Sequence, residues 1–176
     1  MSDWKHRLRD VLEPILTQAD PRPQLSAYHD MPCAIFRYPP EAEFELRPEL
    51  SLLATRLSQR GKRVTVISLA ECLQAALEAQ LPIEQLIEAE RAVGTATAVD
   101  TINQILSEYQ PLDGLVLARF PAAPDPSRDV VFIVRAGALF PVYRTSSLLE
   151  QLMGKVTVPT VLLYPGELDG VVGLKV

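Results

Sequence analysis

Residues Asp129 to Gly170, DVVFIVRAGALFPVYRTSSLLEQLMGKVTVPTVLLYPGELDG, constrain the fold more than any other stretch, because they spell a complete strand–helix–strand unit. Asp129 to Val134 is a continuous apolar run rich in β-branched residues, too short for a packed helix, which is how a strand buried on both faces reads. Thr160 to Tyr164 has the same character and is bounded by Pro159 and by Pro165-Gly166. Between them, Val142, Leu148, Leu149, Leu152 and Met153 predict a helix over Pro141 to Met153, which Gly154 ends in a left-handed cap. Two buried strands joined by such a helix lie parallel, with a right-handed crossover.

The rest of the chain repeats this rhythm. Cys33 to Tyr38 predicts a strand stopped by Pro39-Pro40, since proline cannot donate to a ladder and keeps the residue before it extended. Arg47-Pro48 starts a helix with Leu46, Leu50, Leu53 and Leu57 on one face, ended by Gly61. Arg63 to Ser68 is the second strand. Ser68 with Glu71 forms a capping box for a helix bearing Leu69, Leu73, Ala76 and Leu77. A helical excursion over 69–110 continues with a helix opened by Pro82 and closed by Gly94, then another capped by Thr97 and Asp100. Leu112 to Phe120 fits a short helix or an edge strand, helix being preferred, and Pro121 to Arg128 is loop.

At the N-terminus, Ser2-Asp3 caps a helix with Trp4, Leu8, Val11, Leu12, Ile15 and Leu16 on one face and a kink expected at Pro14. Asp20 to Pro32 reads as a proline-rich linker. The stripe Trp4, Leu8, Val11 is then either part of the core or a partner-docking face. The expected architecture is one α/β domain over 1–176, with 1–32 the N-terminal helix and linker and 33–176 the sheet core. It is a three-layer, Rossmann-like domain with a four-stranded, mainly parallel sheet in the order 2-1-3-4, flanked by helices.

Composition removes several function classes. With 48% hydrophobic residues in 176, the chain fills one substantial core. A net charge of -5 gives no general attraction to nucleic acid or to an anionic membrane. No stretch reaches the roughly 20 apolar residues of a membrane span and no signal-peptide core is present, so a cytoplasmic location is expected. Cys33 and Cys72 sit in apolar contexts and read as buried free thiols, which suits a reducing compartment.

The phosphate-cradling loop, the dinucleotide fingerprint, the nucleophile elbow, H-E-x-x-H and paired C-x-x-C are all missing. The two histidines, His6 and His29, both precede the first strand. No catalytic residue, metal site or cofactor is therefore assigned. What the topology brings to one rim is Tyr38, Arg135, Arg144, Tyr164, Glu167 and Asp169, at the carboxyl ends of the strands, where parallel sheets bind ligands. Arg144 paired with Glu167 or Asp169 would order the loops without any ligand; the same residues would equally form a small-ligand or nucleotide site, and the two carboxylates a cation site.

FRYPPEAEFELRPEL, RVTVISLAECL, DVVFIVRAGALFPVYRTSSLLEQL and TVLLYPGELDG, in this order and at this spacing, resemble the BrxB family, the small B component of bacteriophage-exclusion (BREX) defence systems. The likeness covers most of the chain from about Ala34 onward. Its most specific parts are Tyr38-Pro39-Pro40, Gly137 to Arg144, Tyr164-Pro165-Gly166 and Asp169-Gly170. The resemblance implies a cytoplasmic, non-enzymatic interaction subunit that binds a PglZ-like (alkaline-phosphatase-like) protein alongside other BREX components. It transfers no catalytic residues. The chain departs from the family pattern at Arg144-Thr145-Ser146, where Arg-Ser-His or Arg-Thr-His is expected, and in a shortened segment before the third strand. A further strand is expected where the chain stops at Val176.

Overall fold

The computed structural model describes residues 3–25, 31–80, 87–88, 91 and 94–166. Its centre is a four-stranded sheet of β1 (Cys33–Tyr38), β2 (Arg63–Ser68), β3 (Asp129–Val134) and β4 (Thr160–Pro165). All pairings are parallel, with Cys33 opposite Thr160, Val131 opposite Thr160, and Arg63 opposite Asp129. The strands lie where the sequence puts them.

Their order does not. The sheet runs β1-β4-β3-β2 instead of 2-1-3-4, so β3 and β4 are neighbours as expected, but β1 and β2 take opposite edges. The reason lies in the strands themselves. β3 and β4 are the continuous apolar runs and occupy the centre, whereas β2, RVTVIS, alternates polar and apolar residues and suits an edge. Crossing from β1 to β2 spans three strand spacings, about 14 Å. The 17-residue helix between them is about 25 Å long and reaches easily.

In chain order the helices are α1 (Asp3–His6), α2 (Glu13–Leu16), α3 (Arg22–Leu25), α4 (Glu43–Gln59), α5 (Leu69–Gln80), α6 (Thr95–Gln104), α7 (Leu112–Leu117) and α8 (Thr145–Leu152). They cover both faces. Ala34, Phe36, Tyr38, Val130, Phe132, Val161 and Leu163 point to one side, against Trp4, Leu8, Leu12, Leu16 and the Leu46–Leu50–Leu53–Leu57 stripe of α4. Cys33, Ile35, Ile67, Val131, Ile133 and Leu162 point to the other, against α5, α7 and α8.

Several local expectations are corrected. Pro14 does not simply kink the first helix: Arg7–Leu12 is wound as a π-helix between α1 and α2, with Glu13 N–H bonded to Leu8 O. This widening accommodates a proline that has no N–H and whose ring crowds the carbonyl four residues back. The described residues of the 20–32 stretch are not a free linker, since Leu25 in α3 and Met31 are both buried. α4 begins at Glu43, after a 3₁₀ turn at Pro40–Ala42, and carries Pro48 inside it. The carbonyl that Pro48 leaves without a donor belongs to Phe44, which is exposed to water. α6 starts at Thr95, two residues before the proposed cap. α8 starts at Thr145, because a turn takes up the residues before it. Leu112–Leu117 is helical, Gly61 and Gly154 adopt the left-handed conformation, and Glu71 N–H donates to Ser68 Oγ at 3.4 Å. The helix expected from Pro82 lies mostly outside the described residues.

Candidate functional site

Because all strands are parallel, their carboxyl ends meet at one rim. β1 delivers Tyr38 there and stops at Pro39; β4 delivers Tyr164 and Pro165, and Gly166 N–H, at a φ of 86°, donates back to Tyr38 O at 2.9 Å. β3 is followed by Arg135, the one non-glycine with positive φ (64°) among the described residues, which leads into a 3₁₀ turn at Ala136–Leu139. That turn packs closely on β4: a Cβ added at Gly137 would lie 3.6 Å from Pro165 Cγ.

The rim is two clefts. The first, about 400 Å³, lies between α4 and the β2 side of the sheet; Val66, Val134 and Leu163 form its apolar floor, Leu50 and Ala54 one wall, and Tyr38, Glu43, Arg47, Ser68, Glu71 and Arg135 its polar margin. The second, about 660 Å³, lies between the β1–β4 ends and the loop before α8, lined by Pro40, Phe140, Arg144 and Tyr164. Tyr143 and Arg144 also border a third cleft of about 550 Å³ with Asn103 and Asp113. The sequence-derived rim is therefore divided: Tyr38 and Arg135 share the first cleft, Arg144 and Tyr164 the second. Glu167 and Asp169 lie outside the described residues, and with them the proposed pairing of Arg144.

In the first cleft the Tyr38 hydroxyl donates to the Glu43 carboxylate. Burial pushes the phenol well above its ordinary value, the Glu43 contact adds to this, and Arg47 and Arg135 oppose it. Tyr38 is thus a fixed donor and not a base. Arg47 stands 3.5 Å from Glu43 and stacks 4.9 Å over the Phe44 ring. Among the described residues no carboxylate pairs with Arg135 or Arg144, and no group of three or more His, Cys, Asp or Glu is placed to hold a metal. His6 Nδ1 lies 2.7 Å from Asp10 on the N-terminal helix; His29 lies outside the described residues.

Sequence reasoning missed Glu43, Arg47, Val66 and Phe140. Phe140 is 84% exposed although it sits in an apolar run; the proline after it was the only hint of a turn. Of the candidate docking residues, Trp4 and Leu8 are core and Val11 alone is exposed. Cys33 and Cys72 are free and buried, and burial pushes the Cys33 thiol up to about 12.

Among the described residues no helix is long and apolar enough to cross a membrane. No solved structure gives a significant match. The family model for "BREX protein BrxB" matches residues 65–175, which takes in most of β2, all of β3 and β4, nearly all of the second cleft's lining and the sheet side of the first. A curated relative, "BREX protein BrxB" of Bacillus cereus (strain H3081.97), is 26% identical over 166 residues, covering 93% of this chain and 85% of the relative. The family match spans well over half the sequence, and the chain belongs to the BrxB family of BREX proteins.

Proposed function

We propose that this protein is a cytoplasmic, non-enzymatic interaction subunit of a BREX-type anti-phage defence complex, and that it binds the PglZ-like, alkaline-phosphatase-like component. The observation that carries this is the surface around the rim. Phe44, capped by Arg47, and Phe140, beside Arg144, are the two most exposed large hydrophobic side chains among the described residues, at 77% and 84%. Neither contributes to the core. Exposed aromatic rings beside arginines are the residue types that dominate protein–protein contacts. Family membership supplies the context of a multi-component system.

The test is co-purification of the chain with each product of its own operon, followed by size-exclusion chromatography with light scattering. The expected result is a stable complex with the PglZ-like protein; elution alone with every neighbour would overturn the reading. A small-ligand or nucleotide sensor is favoured by one observation, the 400 Å³ cleft at the strand carboxyl ends with Arg47 and Arg135 at its margin. A thermal-shift screen separates the two, because a ligand that binds the folded state raises its Tm.

A further inference from the structure

The two edges of the sheet are treated differently. β1 is buried along its length, α3 packs beside it, and Arg7 Nη2 donates to Arg37 O at 2.8 Å. β2 is open: Arg63 and Val66 are exposed, and Val64 and Thr65 only half-buried. Arg63 N–H donates to Arg128 O at 2.7 Å, and in a parallel ladder the residues that bond one neighbour alternate. Arg63, Thr65 and Ile67 therefore face β3, and the N–H and C=O of Val64 and Val66 face outward. Among the described residues no strand and no hydrogen bond meets them. Proteins usually blunt such an edge with lysine, proline or a bulge; here it carries two valines.

The side chain of Val66, 54% exposed, opens into the first cleft beside α4. Most of the charges at the two ends of the edge are already met: Arg63 pairs with Asp129 and, with Arg128, acts on Asp125 at its start, and Arg47 pairs with Glu43 at its end, whereas Arg135 at the cleft margin has no carboxylate paired with it among the described residues. Two copies of this chain joined edge to edge about a two-fold axis would run antiparallel and bring to Arg135 only the start of the other β2, whose carboxylates Asp125 and Asp129 are already engaged by Ser127 and Arg63.

We infer that the outer edge of β2 is the docking site for an extended segment of the partner protein, which adds as a fifth strand. The segment has an apolar side chain that enters the cleft over Val66 and an acidic residue that meets Arg135, beside the Arg47–Glu43 pair. Backbone pairing supplies affinity and the cleft supplies selectivity. This deepens the interaction reading above and rests on it.

The experiment compares the full chain with Val66→Pro and with the double variant Arg47→Glu/Arg135→Glu for binding to the PglZ-like partner, with amide hydrogen exchange on the wild-type complex. Proline removes an N–H that the ladder does not use, so Val66→Pro folds with an unchanged Tm, whereas Thr65→Pro breaks the ladder. The expected results are a Kd weakened about tenfold or more by Val66→Pro and by the charge reversal, and slowed exchange at the Val64 and Val66 amides on binding. If the complex forms but Val66→Pro binds like wild type and those amides exchange as in the free chain, the edge is not the site, although the interaction reading stands. If the wild type binds no partner, both fall. If Val66→Pro instead dissolves a homodimer, a second copy is the occupant and the inference is overturned. Should Val66→Pro fail to fold, the exchange data and the charge reversal decide.

Discussion

Arg63, the first residue of β2, and Asp129, the first of β3, face each other across the sheet with guanidinium Nη2 2.9 Å from carboxylate Oδ2. Asp129 is buried, and the same oxygen accepts the Asp125 N–H at 2.7 Å, tying the 121–128 loop to the strand it precedes. Asp129→Ala leaves the arginine and the amide without their acceptor and should cost about 2 kcal/mol. Asp129→Asn, which keeps an oxygen in place, and Arg63→Ala, which removes a side chain half in solvent while Asp129 keeps the Asp125 N–H, should each cost about 1 kcal/mol. Urea unfolding of the three variants measures the ranking.

The Cys33 thiol, fully packed at the start of β1, is held protonated by burial up to about 12, against an ordinary 9.0. The folded state therefore keeps a proton that the unfolded chain releases. The sign follows: the contribution to stability is complete below about pH 9 and drains away as pH rises through about 12. Tyr38 and Tyr143 are shifted in the same direction, also first by burial, so Cys33→Ala should shallow the alkaline decline and not abolish it. Unfolding free energies from pH 8 to 11 measure this. At pH 8 a disulfide reagent should label Cys33 only as fast as the protein opens.

Arg135 occupies a left-handed backbone conformation that an L side chain adopts at a cost of about 1 kcal/mol. Arg135→Gly removes that cost and should raise stability by about the same amount. It also removes one of the two guanidiniums at the first cleft, so partner binding should weaken in the variant that is more stable. Denaturant titration and a binding isotherm on the same preparation show whether the two move in opposite directions.

How far the sequence disclosed this arrangement depends on the kind of information each element carries. Strand bounds were legible because short β-branched and apolar runs, continuous in β1 and β3 and alternating in β2, are set off by turn residues: β1, β2 and β3 coincide with their expected limits. Gly61 and Gly154 marked left-handed turns for the same local reason. Strand order is set by which strands bury most completely and by how far α4 reaches, and neither is local. The polar pattern of β2 was visible in Arg63, Thr65 and Ser68, yet its meaning as an edge emerges only once β3 is known to need the interior. The rim was legible in part: parallel topology brought Tyr38 and Arg135 together, but Glu43 and Arg47 join them through α4 starting a full turn before Arg47. Phe140 was hidden because an exposed aromatic within an apolar run has the same letters as a buried one.

Phe140 gives the cleanest separation of binding from folding. Its ring is largely in water beside the second cleft, so Phe140→Ala removes little buried surface and should change unfolding free energy by less than about 0.5 kcal/mol. If the rim contacts the PglZ-like partner on this side as well, the ring is covered in the complex, and its truncation should weaken the Kd by about tenfold. Leu149→Ala is the control: that side chain is wholly buried under the sheet, and its loss should cost about 2–5 kcal/mol of stability without a direct contact to any partner. Isothermal titration with both variants at a temperature where each is folded distinguishes them. A Phe140→Ala protein of normal Tm and normal affinity would confine the docking surface to the first cleft and the β2 edge.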